Sequence, residues 1–348
     1  MDSLTQIALG GAVGYAVLGK PLGRKAILWG AALGTLPDLD VLIPYGGAVE
    51  DFTYHRSFSH SLLIQPIATP FIAWFAQILH RTKAISLWHW SLMIYLTLAT
   101  HALLDTCTVY GTQLLWPLTE YPFGWSNLFI IDPAYTLPLL CGMGLACVKA
   151  IPVQWRQRLN RIGLALSSLY LMWSFSAKYM IDHNMRALLQ DQAAQPTAYV
   201  STPAPLSTLL WRIVVHYETH YDVVYASVFD RPEQYQFTRY ASSFKELQVL
   251  KDEPLVQRLQ WFTKGLYKIA IQDDTLVMSD LRMGAECFYA FNFTVGQRAS
   301  PDSPWQPGTY AQTTERPDLA TLGLIWDRIF DPTVDLSPPQ PCPRDFKE

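Results

Sequence analysis

Apolar residues gather in six runs in the first half of the chain, at 7–18, 26–44, 62–79, 87–104, 134–148 and 162–181, separated by polar connections. A helix needs about 20 apolar residues to cross a bilayer. The second, third, fourth and sixth runs therefore predict spans, and the fifth is short. The first, 12 residues and rich in Gly, predicts a re-entrant or interfacial helix. Past about residue 190 the period changes to two, with branched and aromatic residues alternating at 210–217, 221–228 and 267–271 and further β-rich stretches at 275–278 and 287–295. Such runs read as half-buried strands. The pattern predicts a mostly α-helical polytopic membrane domain of about five or six apolar helices over 1–185. A Pro-rich linker (186–208, with Pro196, Pro203 and Pro205), a small, predominantly antiparallel β domain (209–335) and a polar tail (336–348) expected to be disordered complete the chain.

Composition sharpens this division. Only 16% of the 348 residues are charged, against about 25% in an average domain, and residues 1–182 hold 20 of the 55 charges. The expected partner is therefore the lipid bilayer. A net charge of -3 without a Lys/Arg-rich run removes the electrostatic footprint of a nucleic-acid binder. Five cysteines without a Cys-x-x-Cys spacing exclude a disulfide scaffold and a Cys-based zinc ribbon. Nine of the eleven basic residues before residue 183 fall in alternate connections (Lys20, Arg24, Lys25; Arg81, Lys83; Lys149, Arg156, Arg158, Arg161). If all six runs cross, those connections are cytoplasmic. The connections near 45–61 and 106–133, and everything after Ile181, then face outward, where Cys287 and Cys342 share a compartment that permits a disulfide.

Ionisable groups beside membrane segments are costly and point to function, and here they cluster at the predicted outward ends. Leu36-Pro37-Asp38-Leu39-Asp40 closes the second run, where Pro37 disfavours further helix. Tyr54-His55-Arg56-Ser57-Phe58-Ser59-His60-Ser61 precedes the third and offers two imidazoles for one ion. His101 and Asp105, four apart, share one side of the fourth predicted helix and suit a shared cation or a hydrogen-bonded supporting pair. His80 and His89 lie at the inward ends and are set aside. Asp132 is a further candidate, and Tyr110, Gly111 and Thr112 are candidate pocket-lining residues. The aromatic loop with Trp116, Tyr121, Phe123 and Trp125 reads as a membrane anchor. His216 and His220 lie on a predicted strand, which does not favour a shared ion. The six candidate ligands, Asp38, Asp40, His55, His60, His101 and Asp105, exceed the three of a typical catalytic zinc. They allow one or two divalent ions. Nitrogen and oxygen donors without thiolate suit Zn²⁺, with Mn²⁺ and Fe²⁺ as alternatives.

These segments, with the opening Met-Asp-Ser-Leu-Thr and the Tyr-Gly-Thr after His-Ala-Leu-Leu-Asp, resemble the YdjM-type family of inner-membrane-associated proteins, described as metal-dependent hydrolases and as LexA-binding. The resemblance covers roughly residues 1–180. It implies a bacterial inner-membrane protein, which the apolar runs would make multi-pass, with a metal-assisted hydrolase site at Asp38, Asp40, His55, His60, His101 and Asp105. Many members have His after the opening Thr where this chain has Gln6, so a polar contact from the N-terminus is expected to be weakened or absent. The favoured activity is cleavage of a lipid or envelope ester or phosphoester by metal-activated water. Asp38 or Asp105 is then the base, and Arg56 either steadies the developing charge or pairs with Asp38, Asp40 or Asp51. The alternative is a non-catalytic membrane scaffold or partner-binding protein with a structural metal. A transporter ranks last, because inverted repeats are not evident.

Overall fold

The computed structural model describes residues 1–80, 85–190, 194–315 and 321–338. The chain divides into two compact units. One holds Met1–Ile43, His55–Ser176 and Pro205–Ser207, and the other holds Pro44–Tyr54, Ala177–Ala204 and everything from Thr208 onward.

The first unit is helical. Its elements are α1 (Ser3–Leu22), α2 (Lys25–Thr35), α4 (Gln65–His80), α5 (Leu87–Asp105), α6 (Pro133–Cys147) and the first part of α7 (Val153–Gln190); the short α3 (Ala48–Tyr54) belongs to the second unit. Asp2 caps α1 by accepting from the Thr5 backbone N–H, satisfying one donor that a helix start leaves free. α1 and α2 meet backbone to backbone: a Cβ on Gly30 would lie 2.0 Å from the Gly10 carbonyl oxygen, and one on Gly10 would lie 2.3 Å from that of Gly30. Only glycine permits that approach. Tyr15, Leu18, Leu33, Trp90, Met93, Ile94 and Leu98 then fill the core between α1, α2 and α5.

These six helices fall on the six apolar runs, but the expected polytopic membrane domain is not what they form. Among the described residues no single helix is long and apolar enough to cross a membrane; only the bent pair 48–60 and 65–80 passes together, by length and composition. Each helix has a readable reason. Pro37 breaks the second run into an 11-residue helix and a 3-10 turn, while α4 and α6 have 16 and 15 residues. Within α5, His89, Thr97, Thr100 and His101 interrupt the apolar side chains, and α7 interleaves Ser167, Ser168, Ser174, Ser176 and Lys178 with its leucines. Without spans, the alternation of Lys and Arg has nothing to orient. A multi-pass topology and a periplasmic C-terminal unit are therefore not supported.

The second unit is built on antiparallel sheets. β1 (Ala198–Pro203), β2 (Leu210–His216), β3 (His220–Ser227) and β4 (Thr238–Ala241) form a meander in sequence order, with Ile213 opposite Val224. After α8 (Phe244–Leu247) and α9 (Pro254–Phe262) come β5 (Tyr267–Gln272), β6 (Thr275–Asp280), the small pair β7 (Gly284–Ala285) and β8 (Phe288–Tyr289), then β9 (Asn292–Gln297), β10 (Gln306–Pro307) and β11 (Gln312–Thr313); α10 (Thr321–Phe330) follows. The second sheet runs β10-β9-β6-β5, with β11 also paired to β9. β2 is buried throughout because both of its faces are covered. Trp211, Ile213 and Val215 meet Ala177, Ile181, Met185 and Leu189 of α7, and Val214 packs with Tyr221 and Leu281 on the other side. The four-residue spacing on α7 is a helical stripe, set against the period of two along the strand. The stretch 186–208, expected as linker, holds the end of α7 and all of β1. Cys287 is disulfide-bonded, while Cys342 and the tail from 339 lie outside the described residues.

Candidate metal centre

Three segments of the helical unit supply the site. His101 and Asp105 sit in the last turns of α5, one helical turn apart on one face. Past the end of α2, Pro37 starts a 3-10 turn, Pro37–Leu42. At three residues per turn, side chains two apart diverge by about 120°, so Asp38 and Asp40 serve different neighbours. In the third segment Arg56 adopts φ 64, which reverses the chain between His55 and the 3-10 turn Phe58–His60.

Asp38, His60, His101 and Asp105 converge, each offering an atom within 4.8 Å of the others. His60 Nε2 and His101 Nε2 are 3.1 Å apart. Asp38 Oδ1 lies 3.4 and 3.5 Å from them, and Asp105 Oδ2 3.2 and 3.4 Å. Four ligands around a tetrahedral ion with bonds of about 2.0–2.1 Å stand about 3.3–3.4 Å from one another. Five of the six donor separations therefore match a divalent cation of zinc's size, and the sixth, between the Asp38 and Asp105 oxygens, is within 4.8 Å. His60, His101 and Asp105 are buried, and Asp38, at 24% side-chain exposure, forms the open side.

Hydrogen bonds fix which nitrogen faces the centre. His101 Nδ1 lies 2.7 Å from the Gly34 carbonyl oxygen, which can only accept, so Nδ1 carries the proton and Nε2 presents a lone pair. Ser59 Oγ donates to Asp40 Oδ2 at 2.7 Å and so accepts from His60 Nδ1 at 2.8 Å, which turns the His60 Nε2 lone pair inward as well. Asp38 Oδ1 and Asp105 Oδ2 accept no hydrogen bond among the described residues. Four acceptor atoms thus face one another in a buried space, an arrangement that calls for a cation or a proton. Without a metal the proton goes to His101: burial alone would lower its pKa, but Asp105 and Asp38 raise it to about 9. Burial would push the two carboxyls up. The imidazoles instead hold Asp38 well below the usual range, and Arg56 followed by the chain's terminal amine and His101 does the same for Asp105.

The other candidates surround this set. Asp40 is not in the four-donor cluster; it accepts from His55 Nδ1 at 2.7 Å, from Ser59 and from the Arg56 backbone N–H at 2.9 Å. His55, 22% exposed, stands with its ring 6.2 Å from that of His60 and against Tyr110. The Arg56 side chain turns to Asp105 rather than to Asp38, Asp40 or Asp51. Its Nε lies 3.3 Å from Asp105 Oδ2, its Nη1 donates to Thr108, and its guanidinium covers the Tyr110 ring. Gln6 supplies the N-terminal contact expected to be weak, donating to Asp105 Oδ1 at 3.0 Å, and the Met1 amine donates to the same oxygen. Asp132 lies elsewhere, capping α6 and accepting from the Tyr170 hydroxyl. His80 accepts from the Trp29 indole and His89 pairs with Ser86, while His216 bonds Thr197 in the second unit. The sequence alone assigns neither Ser59, a candidate N-cap by its place in the motif, nor the Gly34 carbonyl a role at the centre. Ser59 was detectable as the neighbour of His60 within its motif, but a backbone carbonyl leaves no such signal.

Taken together, a buried two-His, two-Asp donor set on a helical scaffold defines a candidate divalent-metal protein. The model of the YdjM inner membrane protein family matches residues 1–181, the span that holds every residue of the centre. The chain belongs to this family, the one its motifs resemble, and so stands among inner membrane proteins. No curated protein and no solved structure matches it.

Proposed function

We propose that the helical unit is a metal-dependent hydrolase that cleaves a lipid or envelope ester or phosphoester, with Asp38, His60, His101 and Asp105 holding one divalent ion, Zn²⁺ by donor type and Mn²⁺ or Fe²⁺ as alternatives. The observation that carries this reading is the Asp40–His55 pair. It is a carboxylate–imidazole couple outside the donor set and beside it, with Asp40 buried and the His55 ring 22% exposed, which a purely structural ion does not require. When bound, the ion supplies a water whose pKa falls toward about 7 and an electrophile for a carbonyl or phosphoryl oxygen. Asp40 fixes the His55 tautomer, leaving Nε2 to accept a proton from the attacking water and return it to the leaving group. Asp40 also acts through Ser59 to hold His60 in register. Arg56 neutralises Asp105 and is buried against Tyr110, so its part is to steady the site from beneath.

A second reading, a structural ion in a scaffold, is favoured by the presence of four protein donors in one cluster, since structural zinc keeps a closed shell. Water-proton relaxation of the Mn²⁺-loaded protein, beside a screen of phosphodiester and lipid-ester substrates, separates the two. Hydrolysis expects fast-exchanging water on the ion and turnover that falls at least tenfold in His55→Ala with metal content unchanged. A closed shell with no turnover leaves the scaffold.

A further inference from the structure

The 3-10 turn that carries Asp38 and Asp40 is built inside out for a segment meeting water. Its two carboxylates turn inward to the metal centre and to His55, Ser59 and Arg56. Its apolar side chains point away: Leu36, Leu39 and Ile43 are exposed, and Val41 and Leu42 stand 69% and 75% free. No Lys, Arg or Glu interrupts 36–43. A second segment tied to the site does the same. The loop 112–123 is hydrogen-bonded through Gln113 N–H to the Arg56 carbonyl and through Leu62 N–H to the Leu114 carbonyl, and it exposes Leu115 and, at 80%, Leu118. Contiguous exposed apolar surface marks a docking site. Here the turn 36–43 belongs to a member of an inner membrane protein family and itself carries Asp38, the partly exposed member of the four-donor cluster.

We infer that the turn 36–43 is a lipid-docking edge. Val41, Leu42 and their apolar neighbours enter the acyl region of the membrane surface, so that the open side of the metal centre lies at the headgroup level. The absence of charge along the exposed side of the turn favours hydrocarbon over a polar protein groove, and shallow insertion of a short apolar segment requires no spanning helix. Where the hydrolytic reading holds, the substrate class is then an amphiphile whose ester or phosphoester head reaches Asp38 from the membrane while its tails stay in the bilayer. That extension rests on the proposed function, whereas the docking edge does not.

The test uses the full chain with Cys141→Ser and Cys147→Ser, which removes the exposed free thiols among the described residues. Leu42→Cys is labelled with an environment-sensitive nitrobenzoxadiazole probe, and the protein is reconstituted with phosphatidylethanolamine–phosphatidylglycerol vesicles. Acyl-brominated lipids are expected to quench the probe at least twofold relative to unbrominated ones, with little quenching by aqueous iodide. Iodide quenching without bromolipid quenching overturns the proposal. So does efficient disulfide cross-linking between two copies of the unlabelled Leu42→Cys protein without bromolipid quenching of the labelled one, which assigns the edge to a second copy of the chain. Repeating the measurement in an Asp38→Asn background separates the two claims: bromolipid quenching that persists while metal and turnover are lost keeps the docking edge independent of the chemistry. The labelled position can itself perturb folding, so Val41→Cys serves as a second site with the same expectation.

Discussion

Each unit buries a polar cluster, and the two are opposites in how their atoms are matched. In the second unit Glu286 accepts from Lys268 at 2.7 Å, from Tyr289 at 2.9 Å and from Tyr221, while Arg212 donates to the Leu281 carbonyl at 2.7 Å and to Tyr289 at 3.1 Å. Donors meet acceptors almost throughout, with Arg212 Nε left over among the described residues. Such a network completes itself, and its work is to fix the packing of strands. In the first unit two imidazole lone pairs and two carboxylate oxygens face one another. That cluster completes itself only with something added. A buried polar group is thus a functional signal when its complement is missing, and a structural one when the complement is already there.

The contrast is broken most forcefully by removing one carboxylate from each cluster. Glu286→Leu leaves Lys268, Tyr221 and Tyr289 without their acceptor and is expected to destabilise the fold by about 3–5 kcal/mol, measured by denaturant unfolding, with bound metal per chain unchanged. Asp38→Asn is expected to do the reverse: metal affinity falls more than the about 10–100-fold that losing a supporting partner costs, while the metal-free protein stays within about 1 kcal/mol of the parent, because Asp38 is partly exposed. Equal stability losses in the two variants would erase the distinction.

Asp40 sharpens the comparison at smaller amplitude. Asp40→Asn keeps the four donors but removes the charge that organises His55 and Ser59, and it is expected to lower metal affinity or turnover by about 10–100-fold, read by competition with a metallochromic chelator. An unchanged affinity together with an unchanged pH profile would reduce Asp40 to a loop cap.

The effect that is smallest for a single step, about tenfold per unit, is in pH. His101 is held at about 9 against an ordinary 6.5, so in the metal-free protein its imidazolium contributes stability that is complete below about 6.5 and lost as pH rises through about 9. Metal needs the neutral ring, so apparent affinity should climb about tenfold per pH unit for one displaced proton up to about pH 9 and then level. Calorimetry in buffers of different ionisation enthalpy counts that proton. The Glu286 cluster runs the other way. Burial would raise this carboxyl, but Lys268 and two tyrosines hold it below its ordinary 4.5. Its stabilisation is therefore present above about 4.5 and disappears as pH falls further.

Much of this was legible in the chain. The six apolar runs became the six helices of the first unit, and the period-two stretches at 210–217, 221–228 and 267–271 became β2, β3 and β5. His101 and Asp105 could be placed on one face because a helix of 3.6 residues per turn admits no other answer at a spacing of four. Less visible were the short strands β1 and β4 and the assignment of 44–54 to the second unit, where Phe52 packs on Phe262, Phe291 and Phe293. Contacts between segments some 200 residues apart leave no local period.

What the sequence determined by itself was therefore local: which stretches wind into helices, which alternate as strands, and which residue types able to ligate a cation those elements carry. Tertiary structure decided the rest. It brought four of the six candidates, Asp38, His60, His101 and Asp105, into one cluster that could hold a cation, paired Asp40 with His55, and set Gln6 against Asp105. The physical reason is that spacing along one element is fixed by backbone geometry, whereas the meeting of α2, α5 and the 55–60 segment depends on how closely they pack. That closeness rests on features such as the glycine contact of Gly10 with Gly30, whose consequence appears only once both helices are in place.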